Sequence, residues 1–273
     1  MALNSYDNIL AAWTAGKAQD YFYNKASITT VANSFWSLWA AAGQPGAGAF
    51  GGTALAARAV SSSTTGALSF TNPTGPDILQ MVSFTAASSV AAGSLLLVDR
   101  LLDYPTISCT VTTLQTMDNT ATLPRYTTGA GVQMFAEVTT TLGATPQTLT
   151  ITYVNQAGTT GRVTTLSPVT SSAVNRLPQV SFFIPLQAGD TGVRSITSVQ
   201  FGGSMGAGVL NMTLCRPVVD LPIQVAATMV ERNMVLHTPR LFQIVDNAAL
   251  SFLLFSATTS SGALVGRTTA VAG

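Results

Sequence analysis

Between residues 131 and 166 apolar and polar residues alternate with a period of two. Leu149, Ile151 and Tyr153 fall on one face and Thr148, Thr150 and Thr152 on the other, and Val132, Met134, Ala136 and Val138 alternate with Gln133, Phe135, Glu137 and Thr139. β-Branched and aromatic residues at that period predict strands buried on one side. The cluster NQAGTTG (155–161) reads as a hairpin loop, with Arg162 opening the return strand. Similar patterns predict strands over 68–71, 78–85, 94–102, 107–117, 132–142, 148–153, 162–166, 180–186, 196–201, 209–215, 240–245 and 250–257, and a last one over 262–269. Turn signals such as NPTGP, DYP, QAGDTG and GGSMGAG separate them. Many short strands with no helices between them predict a mainly β fold, an antiparallel β-sandwich or jelly roll.

The first 60 residues have a different pattern. Ser5 is placed to cap a helix in which Tyr6, Ile9, Leu10 and Trp13 form one apolar stripe, with Gly16 just beyond it. Thr30 is placed to cap a second helix carrying Val31, Phe35, Leu38, Trp39 and Ala42 on one face, ended by Gly43 and Pro45. Such aromatic stripes pack onto a sheet or dock onto a neighbouring subunit. The following loop contains GxGxxG at Gly46, Gly48 and Gly51, but it follows a predicted helix, and the next acidic residue is Asp77. A dinucleotide site needs a preceding strand and an acid about twenty residues on, so the loop reads as a flexible connector. The division expected is a helical arm and Gly-rich connector over 1–60, then a β domain over 61–273 that could contain two packed subdomains.

Composition changes this picture in one respect. Only 8% of residues are charged, against about a quarter in an average soluble domain. Apolar content is 47%, so Ser, Thr, Gly, Asn and Gln stand where charge would be. A surface this neutral predicts cover by partner subunits, and ten arginines against Lys17 and Lys25 point the same way, because arginine is favoured and lysine depleted at interfaces. The net charge of +1, with its arginines scattered, gives no electrostatic footprint for nucleic acid or an anionic membrane. No stretch reaches 18 continuous apolar residues, and the N-terminus lacks a basic leader pattern, so the expectation is a protein made in the cytoplasm.

Candidate chemistry is sparse. Cys109 and Cys215 form no metal-ligand or redox spacing and read as small buried hydrophobes. His237 is the one histidine, so any Ser-His-Asp device would have to use it, and no GxSxG is present. Glu137 and Glu231 are the only glutamates, and Asp99 with Asp103 is the closest acidic pair. The stretch VDRLLD reads as Arg100 set between acidic partners at a strand end. Asn211-Met-Thr213 is a glycosylation sequon by its letters alone. These residues predict a protein that is not an enzyme and holds no cofactor or metal. The candidate partner contacts are Trp13, Phe35, Trp39, Asn155 and Arg162, and Tyr126, Phe135 and Tyr153 are the aromatics placed to stack on a sugar.

The segments SLLLVDRLLDYPTI (94–107), 123–162 and LQAGDTGVRSITSVQF (186–201) resemble structural proteins encoded in the virion-morphogenesis regions of tailed bacteriophages, as do RPVVDLPI (216–223) and the closing TSSGALVGRTTAVAG (259–273). The resemblance implies a component of a phage particle on or near the head, assembled in the host cytoplasm. A capsid decoration (cement) protein, a connector and a tail or fibre part that binds a host glycan all fit it. The partners implied are the major capsid protein or other virion proteins, and a homo-oligomer such as a trimer. No functional residue is carried over from the resemblance.

Overall fold

The computed structural model describes residues 3, 5–167, 169, 176–237 and 241–273, with the backbone alone at 236 and 237. The chain opens with α1 (Tyr6–Thr14), β1 (Ala18–Lys25), β2 (Ser34–Ser37), β3 (Gly43–Gln44) and β4 (Arg58–Ala59). Then follow β5 (Leu79–Ser88), β6 (Gly93–Ser108), β7 (Gln115–Thr116), β8 (Gln133–Thr140), β9 (Leu149–Asn155), β10 (Arg162–Leu166) and β11 (Val180–Ile184). The last third holds β12 (Val193–Phe201), β13 (Val209–Ile223), β14 (Val230–Asn233), α2 (Met234–His237), β15 (Phe242–Ile244), β16 (Leu250–Ser256) and β17 (Leu264–Ala272). The fold is mainly β and antiparallel, with one short helix at the N-terminus, as the periodicity predicts.

The central layer closes on itself. Pairing runs β6–β13–β8–β11–β2–β16 and returns from β16 to β6, which makes a ring of six antiparallel strands with β4 added along β6. A barrel of about eight strands is only just wide enough for side chains to fill, so a ring of six must be packed solid. Cross-barrel contacts identify the inward side chains. The Phe35 ring on β2 lies 5.8 Å from Phe135 on β8, and Arg100 on β6 reaches Glu137 on β8 past the intervening β13. Ser37, Ser181 and Ser251 share this inner face through their pairing with Leu253, Glu137 and Val98, and their small side chains leave room for the rings and the guanidinium.

Two further sheets wrap the barrel. The first has order β14-β5-β17-β1-β3 with β15 also on β5, and the second has order β10-β9-β12-β7. Tyr23 and Phe84 of the first sheet pack on Phe252 of the barrel, the Tyr23–Phe252 centroids 4.6 Å apart. In the second sheet β9 buries Leu149, Ile151 and Tyr153 and half-exposes the threonines between them, the one-sided strand predicted. One continuous apolar core joins all three layers. After Cys215, β13 pairs with β6 alone, so Pro217 and Pro222 sit where a missing backbone donor is tolerated.

The first helix forms as predicted, with Ser5 Oγ accepting from the Asn8 amide and Gly16 at φ 72° beyond it. Its orientation differs. Ile9 and Ala12 pack with Leu3 on Val82 and Val271, while Tyr6, Leu10 and Trp13 face outward. The second predicted helix is absent. Asn33 at φ 61° breaks any helix there, and Phe35 and Trp36 become rungs between β11 and β16. Pairing on both edges satisfies the backbone of this segment more completely than a short helix end would. Strand β1, unassigned from sequence, zips along the whole of β17 at the other end of the chain. Strand pairing therefore does not follow a division at residue 60. Of the predicted strand 68–71 only a single bridge, Leu68 to Leu250, is present, and 107–117 is interrupted between β6 and β7. Residue 240 of the predicted strand 240–245 lies outside the described residues.

Candidate functional site

Arg100 lies inside the barrel, 2% exposed. A register shift in the β6–β13 pairing, between Leu214 and Cys215, brings Arg100 and Asp103 to the same inner face. Arg100 donates through Nη1 and Nη2 to the two Glu137 oxygens at 2.9 and 2.5 Å, and through Nε to Asp103 Oδ1 at 2.8 Å. Thr213 donates to Glu137 Oε2 at 2.5 Å, and Asn211 Nδ2 donates to the same oxygen at 3.2 Å. Asp103 takes a second cation, Arg58 Nη2, at 2.7 Å. Next to this group Arg125 grips Asp99 with two bonds of 2.9 and 2.7 Å, and the Ala249 amide donates to Asp99 as well. Three of the chain's twelve cations and three of its eleven carboxylates are thus gathered in one balanced cluster.

Residues 39–60 cover this end of the barrel. The Trp39 ring lies 4.7 Å under the Arg100 guanidinium and the Phe50 ring 5.4 Å away. Gly48 packs so closely on Trp39 that a Cβ there would sit 2.2 Å from the indole. The glycine loop expected to be a flexible connector is therefore a lid, and Gly48 is needed for close approach. Burial acts to lower the Arg100 pKa, but the carboxylates of Asp103 and Glu137 outweigh it and leave the pKa raised. Burial pushes the Asp99 carboxyl up, with Arg125 pulling against it. The buried thiol of Cys109 is pushed up to about 12, and burial raises Cys215 too, so both behave as the inert hydrophobes expected. With its acids paired to guanidinium groups that cannot release a proton, the cluster offers no free acid or base. Its chemistry is electrostatic bracing.

The opposite end of the barrel interior is aromatic. Phe35, Phe135, Phe183 and Phe255 form a chain of ring contacts with centroids 5.0–5.8 Å apart. Phe135 is buried, Phe35 half-buried, and Phe183 and Phe255 reach solvent at 40% and 37% exposure. Val98, Leu253 and Cys215 support them from inside.

The five predicted contact residues do not converge on one surface. Phe35 belongs to this aromatic mouth and Trp13 to the outer side of α1. Trp39 is fully buried under Arg100, so the structure turns it inward. Asn155 is also buried, its side chain donating to Asp190 at 2.7 Å and accepting from the Ala157 and Thr159 amides. Arg162 donates to Asp190 at 2.9 Å and to the Ala188 carbonyl. The 155–161 loop is a hairpin stapled from within by Asp190. Of the aromatics placed to stack on a sugar, Phe135 and Tyr153 are buried and Tyr126 lies under Arg216. Arg100 pairs with Asp103 as the salt-bridge reading expects, but its other partner is Glu137, while Asp99 pairs with Arg125, and the group sits at mid-strand, not at a strand end. The sequon residues Asn211 and Thr213 are buried in the cluster. The His237 side chain lies outside the described residues. No group of three or more His, Cys, Asp or Glu able to hold a metal occurs among the described residues, and no described helix is long and apolar enough to cross a membrane.

No protein-family model matches the chain, and none of the curated proteins compared with it is similar. Among solved structures it is similar to the VP2 subviral particle of infectious bursal disease virus, at 9% identity and a TM-score of 0.22, over 93% of this chain and 80% of that one. Structures of the Gt and Gx strains of the same virus match at 11% identity with TM-scores of 0.17 and 0.16, over 94% of this chain and 81% and 80% of theirs. Likeness at these scores carries no argument about fold or function.

Two outcomes follow from this geometry. Replacing Arg100→Met strands Glu137 in the barrel, leaves Asp103 to Arg58 alone, and lowers unfolding free energy in urea by about 3–5 kcal/mol; a loss below about 1 kcal/mol contradicts the buried pairing. Burial alone would raise the Asp190 pKa, but bonds from Arg162, Tyr153 and Asn155 bring it down to about 2. Because its folded pKa lies below the unfolded value, Asp190 contributes stability that is present above about pH 4 and lost as pH falls toward 2. Asp190→Asn is therefore less stable at pH 7, and its unfolding free energy is flatter between pH 4 and 2; an unchanged acid limb contradicts the staple.

Proposed function

We propose that this chain is a non-enzymatic structural component of a phage particle that docks on the capsid shell and bridges neighbouring shell subunits, as a decoration or cement protein does. The observation that carries the reading is the division of the barrel interior. The charge of Arg100, Asp103 and Glu137 is drawn into one end and covered, while the other end presents Phe183 and Phe255 to solvent on rings held from behind by Phe35 and Phe135. Exposed aromatics in a supported cluster mark protein interaction sites, and rigid rings lose little conformational entropy on docking.

The wider surface supports the same reading. Burying Asp99, Arg100, Asp103, Arg125 and Glu137 lowers the charge of an exterior already rich in Thr, Ser, Asn and Gln, which suits hydrogen-bonded contact with a repeating lattice. Weak contacts repeated by symmetry hold well when the lattice fixes their spacing. Resemblance of five segments to virion-morphogenesis proteins supplies the partner class, the major capsid protein or another shell component, and the virion as the location.

The test is to mix purified protein with isolated shells and follow co-sedimentation and shell melting. Binding and a raised melting temperature are expected, both reduced at least tenfold in affinity or abolished by Phe183→Ser with Phe255→Ser. Failure of the native protein to bind or to stabilise shells contradicts the bridging role.

A further inference from the structure

The outer surface of the sheet β14-β5-β17-β1-β3 carries a second apolar region that the barrel mouth does not use. At one end of this surface α1 is seated, with Ile9 and Ala12 on Val82 and Val271. Its opposite side leaves Tyr6, Leu10 and Trp13 at 67%, 56% and 46% exposure. Farther along the same surface Phe22, Val265 and Met229 are 68%, 46% and 55% exposed around a shallow groove of about 620 Å³. Gly266 forms part of its floor, where a Cβ would lie 2.4 Å from Tyr23 Oη.

The two patches match in charge. Asp7 is the only charged residue of α1. Arg267 is the only charged side chain lining the groove among the described residues. Its guanidinium is loosely held, with Nε 3.8 Å from Asp20 and the group 5.9 Å from the Phe22 ring. The helix cannot occupy its own groove, because only residues 15–17 separate it from β1 and its inner side is already committed to Val82 and Val271. This same sheet surface also accommodates a helix of this sequence, as the seat of α1 demonstrates.

We propose that the groove receives α1 of a second copy of this chain, with Leu10 and Trp13 packing on Phe22, Val265 and Met229 and Asp7 meeting Arg267. The contact joins two different patches of one chain, so it is heterologous, and repeating it builds a ring where the rotation closes and a filament where it does not. It goes beyond the shell-docking reading and uses different residues, so each can fail without the other.

Sedimentation velocity across a concentration series of the full chain tests the proposal. The native protein associates reversibly, and Phe22→Ser or Trp13→Gln each weakens association at least tenfold while circular dichroism stays native, both positions being solvent-exposed. Asp7→Arg and Arg267→Asp each weaken association, and combining them restores it toward the native constant. A native protein that stays monomeric, an oligomer indifferent to Phe22→Ser and Trp13→Gln, or a charge-swapped pair that gives no rescue overturns the proposal.

Discussion

A guanidinium enclosed in a six-stranded barrel must have its charge met inside, because water cannot reach it. Arg100 is met by Glu137 and Asp103, and this requirement ties together parts of the chain that are otherwise remote. Glu137 comes from β8, Thr213 and Asn211 from β13, Arg58 from β4, and the Trp39 lid from the segment after β2. A one-residue slip of β8 would turn Glu137 out of the barrel and leave Arg100 to Asp103 alone, and a slip of β13 would remove the Thr213 bond to Glu137. The cluster therefore acts as a register lock on the ring, a role for which its specificity matters more than its net contribution to stability.

The rest of the architecture follows from a ring so narrow. Its inner wall needs serines opposite large side chains, and its outer wall is largely apolar, which requires cover from both sides. The sheet built on β5, β17 and β1 covers one side and the sheet built on β9 and β12 the other, giving a sandwich whose middle layer is closed. Because charge is concentrated at one end of the interior, the other end can be filled with aromatic rings. Two of those rings, Phe183 and Phe255, reach solvent.

How much of this was readable from sequence depended on range. Local signals held in the Thr/apolar alternation of β9, the Ser5 cap, and the turn clusters QAGDTG and GGSMGAG, but not at DYP, which β6 runs straight through. Failures came where distant pairing outweighed local pattern. Residues 31–42 have helical spacing, but β11 and β16 supply edges on both sides and Phe35 and Trp36 become rungs between them. Strand β1, AQDYFYNK, has no clear polar face of its own and is defined by its partner at the far end of the chain. The ion cluster was half visible. VDRLLD announced an arginine among acids, but Glu137, Arg125 and Arg58 could not be assigned to it without the fold. The available signal was the rarity of the residue: one of only two glutamates stands between apolar neighbours in MFAEV, where a strand would bury it. Asn155 and Arg162, expected as partner contacts, turn their donors inward instead, to Asp190 and, for Arg162, also to the Ala188 carbonyl.

We propose that the aromatic mouth of the barrel is the surface placed against the shell. Hydroxyl-radical footprinting of free protein and of intact particles reads it side chain by side chain. Oxidation of Phe183 and Phe255 should fall at least fivefold on the particle while that of Val163, on β10 at the edge of the second sheet, stays unchanged. Equal oxidation of Phe183 and Phe255 in the two states, with protection appearing elsewhere, would contradict the account.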